Sequence, residues 1–337
     1  MKRKILSLLM IVAMLLINVT ALAAENDRVP LTAEVISPEF PDAYIMVEKV
    51  AAKDIEVTID GNDINVRGTT KEAQDFVRKY IANNTELKKK LASNKGKLVG
   101  IVSATAFVEE TYEIVDDKVV VTNSRLLSKN EVDVIGIENF KPLETPMVPQ
   151  ATFTPKTSQR GTLTITFECF DLSYGSTAHY ELFGDAHWDG FYFFYDPKNN
   201  PAIGEDFFGF AWGGDFDYDD TDISATAWWD NGQRQTVYLA NAEPNAGIVW
   251  SFEEYLYVPN LFTLYVEDVY IHTSIIKNKK TGDGNTTAAI LKYIHTYQDV
   301  TGTIDISAGP DGVGAGFTLS GTPNQWSLVA TISGLYY

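Results

Sequence analysis

The chain has 337 residues, 45% hydrophobic and 12% aromatic, enough apolar material for two well-packed cores, and this excludes a disordered protein. Its 27 basic residues against 45 acidic ones leave a formal charge of −18, which excludes nucleic-acid binding by phosphate neutralisation. The single cysteine, Cys169, excludes an intramolecular disulfide framework.

Residues 1–24 combine a basic start (Lys2, Arg3, Lys4), an apolar run from Ile5 to about Val19, and the small-residue pattern Ala21-Leu22-Ala23-Ala24. That is the build of a signal peptide, so the chain is expected to be secreted and extracellular after cleavage. No later segment is apolar enough to span a bilayer, so no stable membrane span is expected in the mature chain.

Residues 25–140 read as a small α+β domain. Alternating β-branched residues over 55–60 and 64–67 flank Gly61-Asn62-Asp63, which predicts a hairpin. Thr69 and Glu72 form a capping-box pattern. Beyond it Ala73, Phe76, Val77, Tyr80, Ile81, Leu87 and Leu91 fall at helical spacing to about residue 92, with a kink near Asn83-Asn84. Strand character returns over 98–108, 111–115 and 119–121, with a turn at Asp116-Asp117. Residues 141–160, with Pro142, Pro146, Pro149 and Pro155, read as an extended linker to a second domain.

Residues 161–337 run strand after strand with turn signals between them, which predicts an all-β domain, an antiparallel β-sandwich of jelly-roll-like type. Leu163, Ile165, Phe167 and Cys169 share a face, as do Tyr180, Leu182, Ala186 and Trp188, while Asp185, His187 and Asp189 take the opposite parity. Over 206–222 a two-residue alternation puts Phe208, Phe210, Trp212, Phe216 and Tyr218 on one side and Gly209, Ala211, Gly213, Asp215, Asp217 and Asp219 on the other. This predicts one strand of a sandwich wall, rings inward and acids outward. Asn231-Gly232 predicts a two-residue hairpin loop with Trp229 opposite Arg234. The alternation of Tyr293, His295 and Tyr297 favours a strand over 285–297, and Trp326, Leu328, Ala330 and Ile332 define the inward side of another.

Three features bear chemistry. Should Gly213-Gly214 break the strand and the acidic row curl, Asp215, Asp217, Asp219 and Asp222 would converge on calcium. The triplet Asp185-x-His187-x-Asp189 offers mixed ligands, but one strand chelates zinc poorly. Aromatic side chains abound, and Trp188, Tyr192, Trp228 and Trp229, with Arg234, are the candidates for stacking on a ligand. The resulting expectation is a secreted sandwich that binds an extracellular glycan or cell-envelope component, calcium-assisted, with no assigned catalysis. The alternatives are a glycan-cleaving hydrolase that uses an Asp/Glu pair, for which Asp185 with Asp189, Glu205 with Asp206 and Glu253 with Glu254 qualify by composition alone, and a membrane-active β protein.

Overall fold

Period-two alternation dominates the sequence, and the computed structural model turns it into long antiparallel strands. It describes residues 33–60, 63–67, 71–83, 85–93, 96–115, 118–140, 156–190, 204–258, 262–278, 285–297, 302–309, 315–321 and 324–337. Along the first half these form β1 (Ala33–Ile36), β2 (Ile45–Asp60), β3 (Asp63–Arg67), helices α1 (Lys71–Asn83) and α2 (Thr85–Ser93), β4 (Gly96–Val115), β5 (Lys118–Leu126) and helix α3 (Lys129–Ile135). The second half supplies β6 (Lys156–Asp171), β7 (Thr177–Asp189), β8 (Glu205–Trp212), β9 (Asp217–Trp229), β10 (Arg234–Gln235), β11 (Tyr238–Glu243), β12 (Gly247–Glu253) and β13 (Tyr255–Val258). It ends with β14 (Phe262–Asn278), β15 (Thr286–Thr296), β16 (Thr303–Ser307), β17 (Gly316–Ser320) and β18 (Gln325–Tyr336).

Two large sheets result. One runs β1-β18-β15-β8-β12-β11, and the other runs β10-β9-β14-β7-β6-β4-β2-β3, with β13 joined to β14 and β5 to β4. Their facing sides interdigitate in one core of Val102, Ala104, Leu163, Phe167, Leu182 and Trp188 from the larger sheet with Phe208, Phe210, Trp250, Tyr293, Trp326 and Leu328 from the smaller. The pattern is that of a β-sandwich, and the inward parities expected for β6, β7 and β18 hold residue by residue, including the buried Cys169.

The outer sides are covered by different devices. Val77, Ile81 and Leu91 of α1 and α2 lie on Ile55, Val57, Leu98, Ile101, Phe170, Phe183 and Tyr270 of the larger sheet. The β16–β17 hairpin lays Phe317 and Leu319 over Phe207, Val249 and Ile294 of the smaller. Both sides of β8 are therefore buried, including the Gly209 and Ala211 parity that was expected to face solvent.

Several expectations are revised. Strands on either side of 141–160 are neighbours, because β4 pairs with β6 from Lys97↔Asp171 to Glu113↔Lys156. The described strands of 25–140 thus join the sandwich, and residues from Leu31 onward form one compact unit. Lys156 already opens β6; residues 141–155, like residues 1–24, Thr69 with its capping pattern, and Tyr192, lie outside the described residues. The helix expected up to residue 92 is described as two, Lys71–Asn83 and Thr85–Ser93, and residue 84 lies outside the described residues.

The stretch 206–222 is not one strand but two, β8 in the smaller sheet and β9 in the larger. The chain crosses between sheets at Gly213–Phe216, where Gly214 (φ 75°) and Asp215 (φ 54°) take left-handed backbone that glycine and aspartate accept most readily. The hairpin at Asn231-Gly232 forms, but Trp228 pairs with Arg234, and Trp229 N–H donates to Gln233 O, so the loop holds three residues. Gly232, at φ 78°, supplies the left-handed residue that such loops require.

Candidate functional site

Strand parity carries the chemistry to two places. On the side of the larger sheet away from the sandwich interior, three neighbouring strands align Phe170, Glu181 and Ser274 in one row and Glu168, Phe183 and His272 in the next. The carboxylate of Glu181 stands between two imidazoles: its Oε2 meets Nε2 of buried His272, and its Oε1 lies 3.2 Å from Nε2 of His179, which is also 2.7 Å from Ser274 Oγ. Asp222 of β9 brings a carboxylate oxygen into the same group, within 4.8 Å of ligand atoms of Glu181 and His272. Beside this group Glu168 is fully buried with neither carboxyl oxygen hydrogen-bonded among the described residues, and burial, then the charge of Asp185, push its pKa well above the usual carboxylate range.

His179 also forms part of a wall of a cleft of about 490 Å³ lined by Lys97, Asp171, Leu172, Ser173, Tyr174, Thr177, His179 and Ile276. The turn between β6 and β7 shapes it. Tyr174 and Thr177 exchange backbone hydrogen bonds, Ser173 N–H donates to Asp171 Oδ1, and His179 N–H donates to Ser173 Oγ. The turn leaves the Tyr174 ring 71% exposed. The cleft thus presents an exposed ring, a cation, a carboxylate, hydroxyls and an imidazole within one small volume.

The second place lies between the sheets. Inward parity continues along β4, β8 and β15 beyond the apolar core, but the residue type changes to Glu110, Asp206 and His295, and Glu254 joins them just past β12. His295 is 0% exposed. Its Nε2 is 3.0 Å from Glu110 Oε1, and its Nδ1 is 3.3 Å from Asp206 Oδ2 and 3.7 Å from Glu254 Oε1. Asp206 also accepts from Tyr293 Oη–H (2.6 Å) and Thr296 N–H (2.9 Å), while Trp188 Nε1–H donates to the Tyr293 hydroxyl (2.9 Å). Burial opposes a charged imidazole here, but Glu254, Asp206 and Glu110 outweigh it and hold the His295 pKa well above its ordinary value. Burial, with Asp206 and Glu254, likewise raises the Tyr293 phenol.

The residues singled out from sequence are dispersed. Trp188 and Trp229 are core, Trp228 packs beside the helix-covered cluster, and Arg234 is exposed at the hairpin end. Along the acidic row, Asp215 lies 3.7 Å from Lys277, and Asp219 accepts from Thr221 N–H and Oγ1–H. The row spans a bulge of three extra β9 residues between Tyr218 and Ile223. It does not converge: among the described residues two sets of three or more ligand atoms lie within 4.8 Å, Glu110–Glu254–His295 and Glu181–Asp222–His272, and only Asp222 of the row belongs to one. His187 turns from its strand neighbours to Asp268 of β14, 2.8 Å away.

No protein-family model matches the chain, and no curated protein matches it. Among the described residues no helix is long and apolar enough to cross a membrane.

Proposed function

We propose that this is an exported binding protein whose sandwich holds an extracellular carbohydrate, free or as part of the cell envelope, in the cleft beside the β6–β7 turn. One observation carries the reading: Tyr174 stands exposed at a cleft otherwise lined mainly by hydroxyl, charged and imidazole groups. A sugar ring offers an apolar face for the tyrosine and hydroxyls for Lys97, Asp171, Ser173, Thr177 and His179. The volume is within the range that holds small ligands, and a lining that is about as apolar as it is polar suits a ligand with both kinds of surface. Calcium is no part of this reading, since Asp215, Asp217 and Asp219 are not gathered round one point.

Calorimetric titration with soluble fragments of bacterial and plant glycans tests it. Tyr174→Ala is expected to weaken a detected ligand by about tenfold or more, roughly 1.4 kcal/mol, with an unchanged melting temperature because the ring is exposed. Absence of binding to all fragments, or equal affinity in the variant, overturns the proposal. Release of reducing ends during the titration would replace it with the hydrolase.

A further inference from the structure

We infer that Glu110, Glu254 and His295 form a site for one divalent transition-metal ion between the two sheets, with Asp206 orienting the histidine. One donor atom from each of the three ligands lies within 4.8 Å of the other two. Ions of this class bind nitrogen and oxygen at about 2.0 to 2.2 Å, so that donors stand about 3 to 3.5 Å apart, and a modest contraction of the observed cluster reaches that spacing.

Two further observations point to an ion rather than to a set of buried ion pairs. First, His295 Nε2 is fully buried and makes no hydrogen bond among the described residues, although Glu110 Oε1 lies 3.0 Å away. Secondly, the other ring nitrogen is held as metal-binding histidines are held. Nδ1 faces Asp206, which is itself fixed by the Tyr293 hydroxyl and the Thr296 amide. With an ion bound, the proton stays on Nδ1 and the ion replaces the one on Nε2, on the Glu110 side of the ring. It also meets the problem of charge, because three carboxylates and one imidazole in a dry interior leave excess negative charge that a divalent cation offsets.

The donor set selects the ion. An imidazole among carboxylates suits zinc, manganese or iron(II), whereas calcium and magnesium take oxygen donors. The ligands come from β4, the β12–β13 junction and β15, so the ion would tie the larger sheet to the smaller and be taken up as the sandwich closes. This site is separate from the sugar cleft, and neither depends on the other.

The test uses tag-free full-length protein, unfolded with a chelator and refolded into buffer holding zinc, manganese, calcium or no divalent ion. After desalting, about one equivalent of zinc or manganese per chain is expected. The melting temperature should rise by about 5 °C or more over the metal-free sample, with no response to calcium. Glu110→Gln and His295→Gln should each lower metal content at least tenfold. If neither variant folds, X-ray absorption of cobalt-loaded wild-type protein decides, with one imidazole nitrogen and carboxylate oxygens expected in the first coordination sphere. Wild-type protein that retains no transition metal, a folded Glu110→Gln variant with full metal content, or a coordination sphere without imidazole overturns the inference.

Discussion

The two buried histidine–carboxylate clusters use the same residue types on paired strands, yet their surroundings differ. Around His295 the walls are two sheets: Trp188, Trp326 and Tyr297 pack on the ring, and no member of the cluster is exposed. Around Glu181 the wall is one sheet, and His179 reaches the cleft at the end of that sheet. A polar group sealed between two layers cannot recover water when it loses its partner, whereas one at the rim of a cleft can. The first cluster is thus suited to holding the sheets together and the second to meeting a ligand.

The sharpest test of that contrast is Asp206→Ala. It strands the Tyr293 hydroxyl, the Thr296 amide and the His295 ring at once. Removing one partner from a fully buried charged network costs about 3 to 5 kcal/mol, read as a loss in urea-unfolding free energy. Glu181→Gln breaks the weaker cluster. It keeps an acceptor for His272 and leaves His179 its contact with Ser274, so a loss of about 1 to 3 kcal/mol is expected. Equal losses from the two substitutions would contradict the division into a sealed and an open cluster.

Much of the contrast was legible in the chain. Alternation marks the Tyr293, His295, Tyr297 series, and Asp206 shares the parity of Phe208 and Phe210, so an ionisable residue on an apolar face was visible at both positions. Glu205 with Asp206 and Glu253 with Glu254 stood out only as carboxylate pairs, and one member of each belongs to the cluster. What parity cannot supply is the partner strand. Glu110 meets His295 across the sandwich, 185 positions along the chain, through pairings set by tertiary packing. Parity also survives a change of sheet, which is why 206–222 reads as one strand although Gly214 and Asp215 turn it from one layer into the other. Helix α3 carries its own signal in the sequence: Ser128 followed by Glu131, a capping box in which Ser128 N–H and Oγ–H donate to the Glu131 carboxylate.

Asp230 extends the comparison to a half-buried carboxyl in the β9–β10 loop. Burial, and then the charge of Glu267, push its pKa up to about 7, and its Oδ1 has no hydrogen bond among the described residues. A raised carboxyl pKa means that the folded state binds the proton more tightly than the unfolded chain. Its contribution is present below pH about 4 and is lost as pH climbs through about 7. Asp230→Asn should flatten the decline in melting temperature between those limits. It should also raise stability at pH 8 by roughly 1 kcal/mol, after allowance for solvent screening.

His187 completes the series at its exposed end. It pairs with Asp268 at 2.8 Å, as close as several contacts in the sealed cluster, but with side chains 46% and 51% exposed. Its hydrogen bond to Asp268 raises its pKa against the opposing effect of burial, with Asp268, Glu267 and Asp189 adding to the rise. The sign is therefore opposite to that of an imidazole buried without a partner: stability from the pair is complete below pH about 6.5 and fades as pH rises through the higher folded value. Water and salt already solvate both groups, so His187→Asn should change unfolding free energy by no more than about 0.5 kcal/mol at pH 6, and less in 0.5 M salt. A loss approaching that of Asp206→Ala would mean that short contact distance, rather than enclosure, sets the strength of these pairs, and the contrast between the clusters would fail with it.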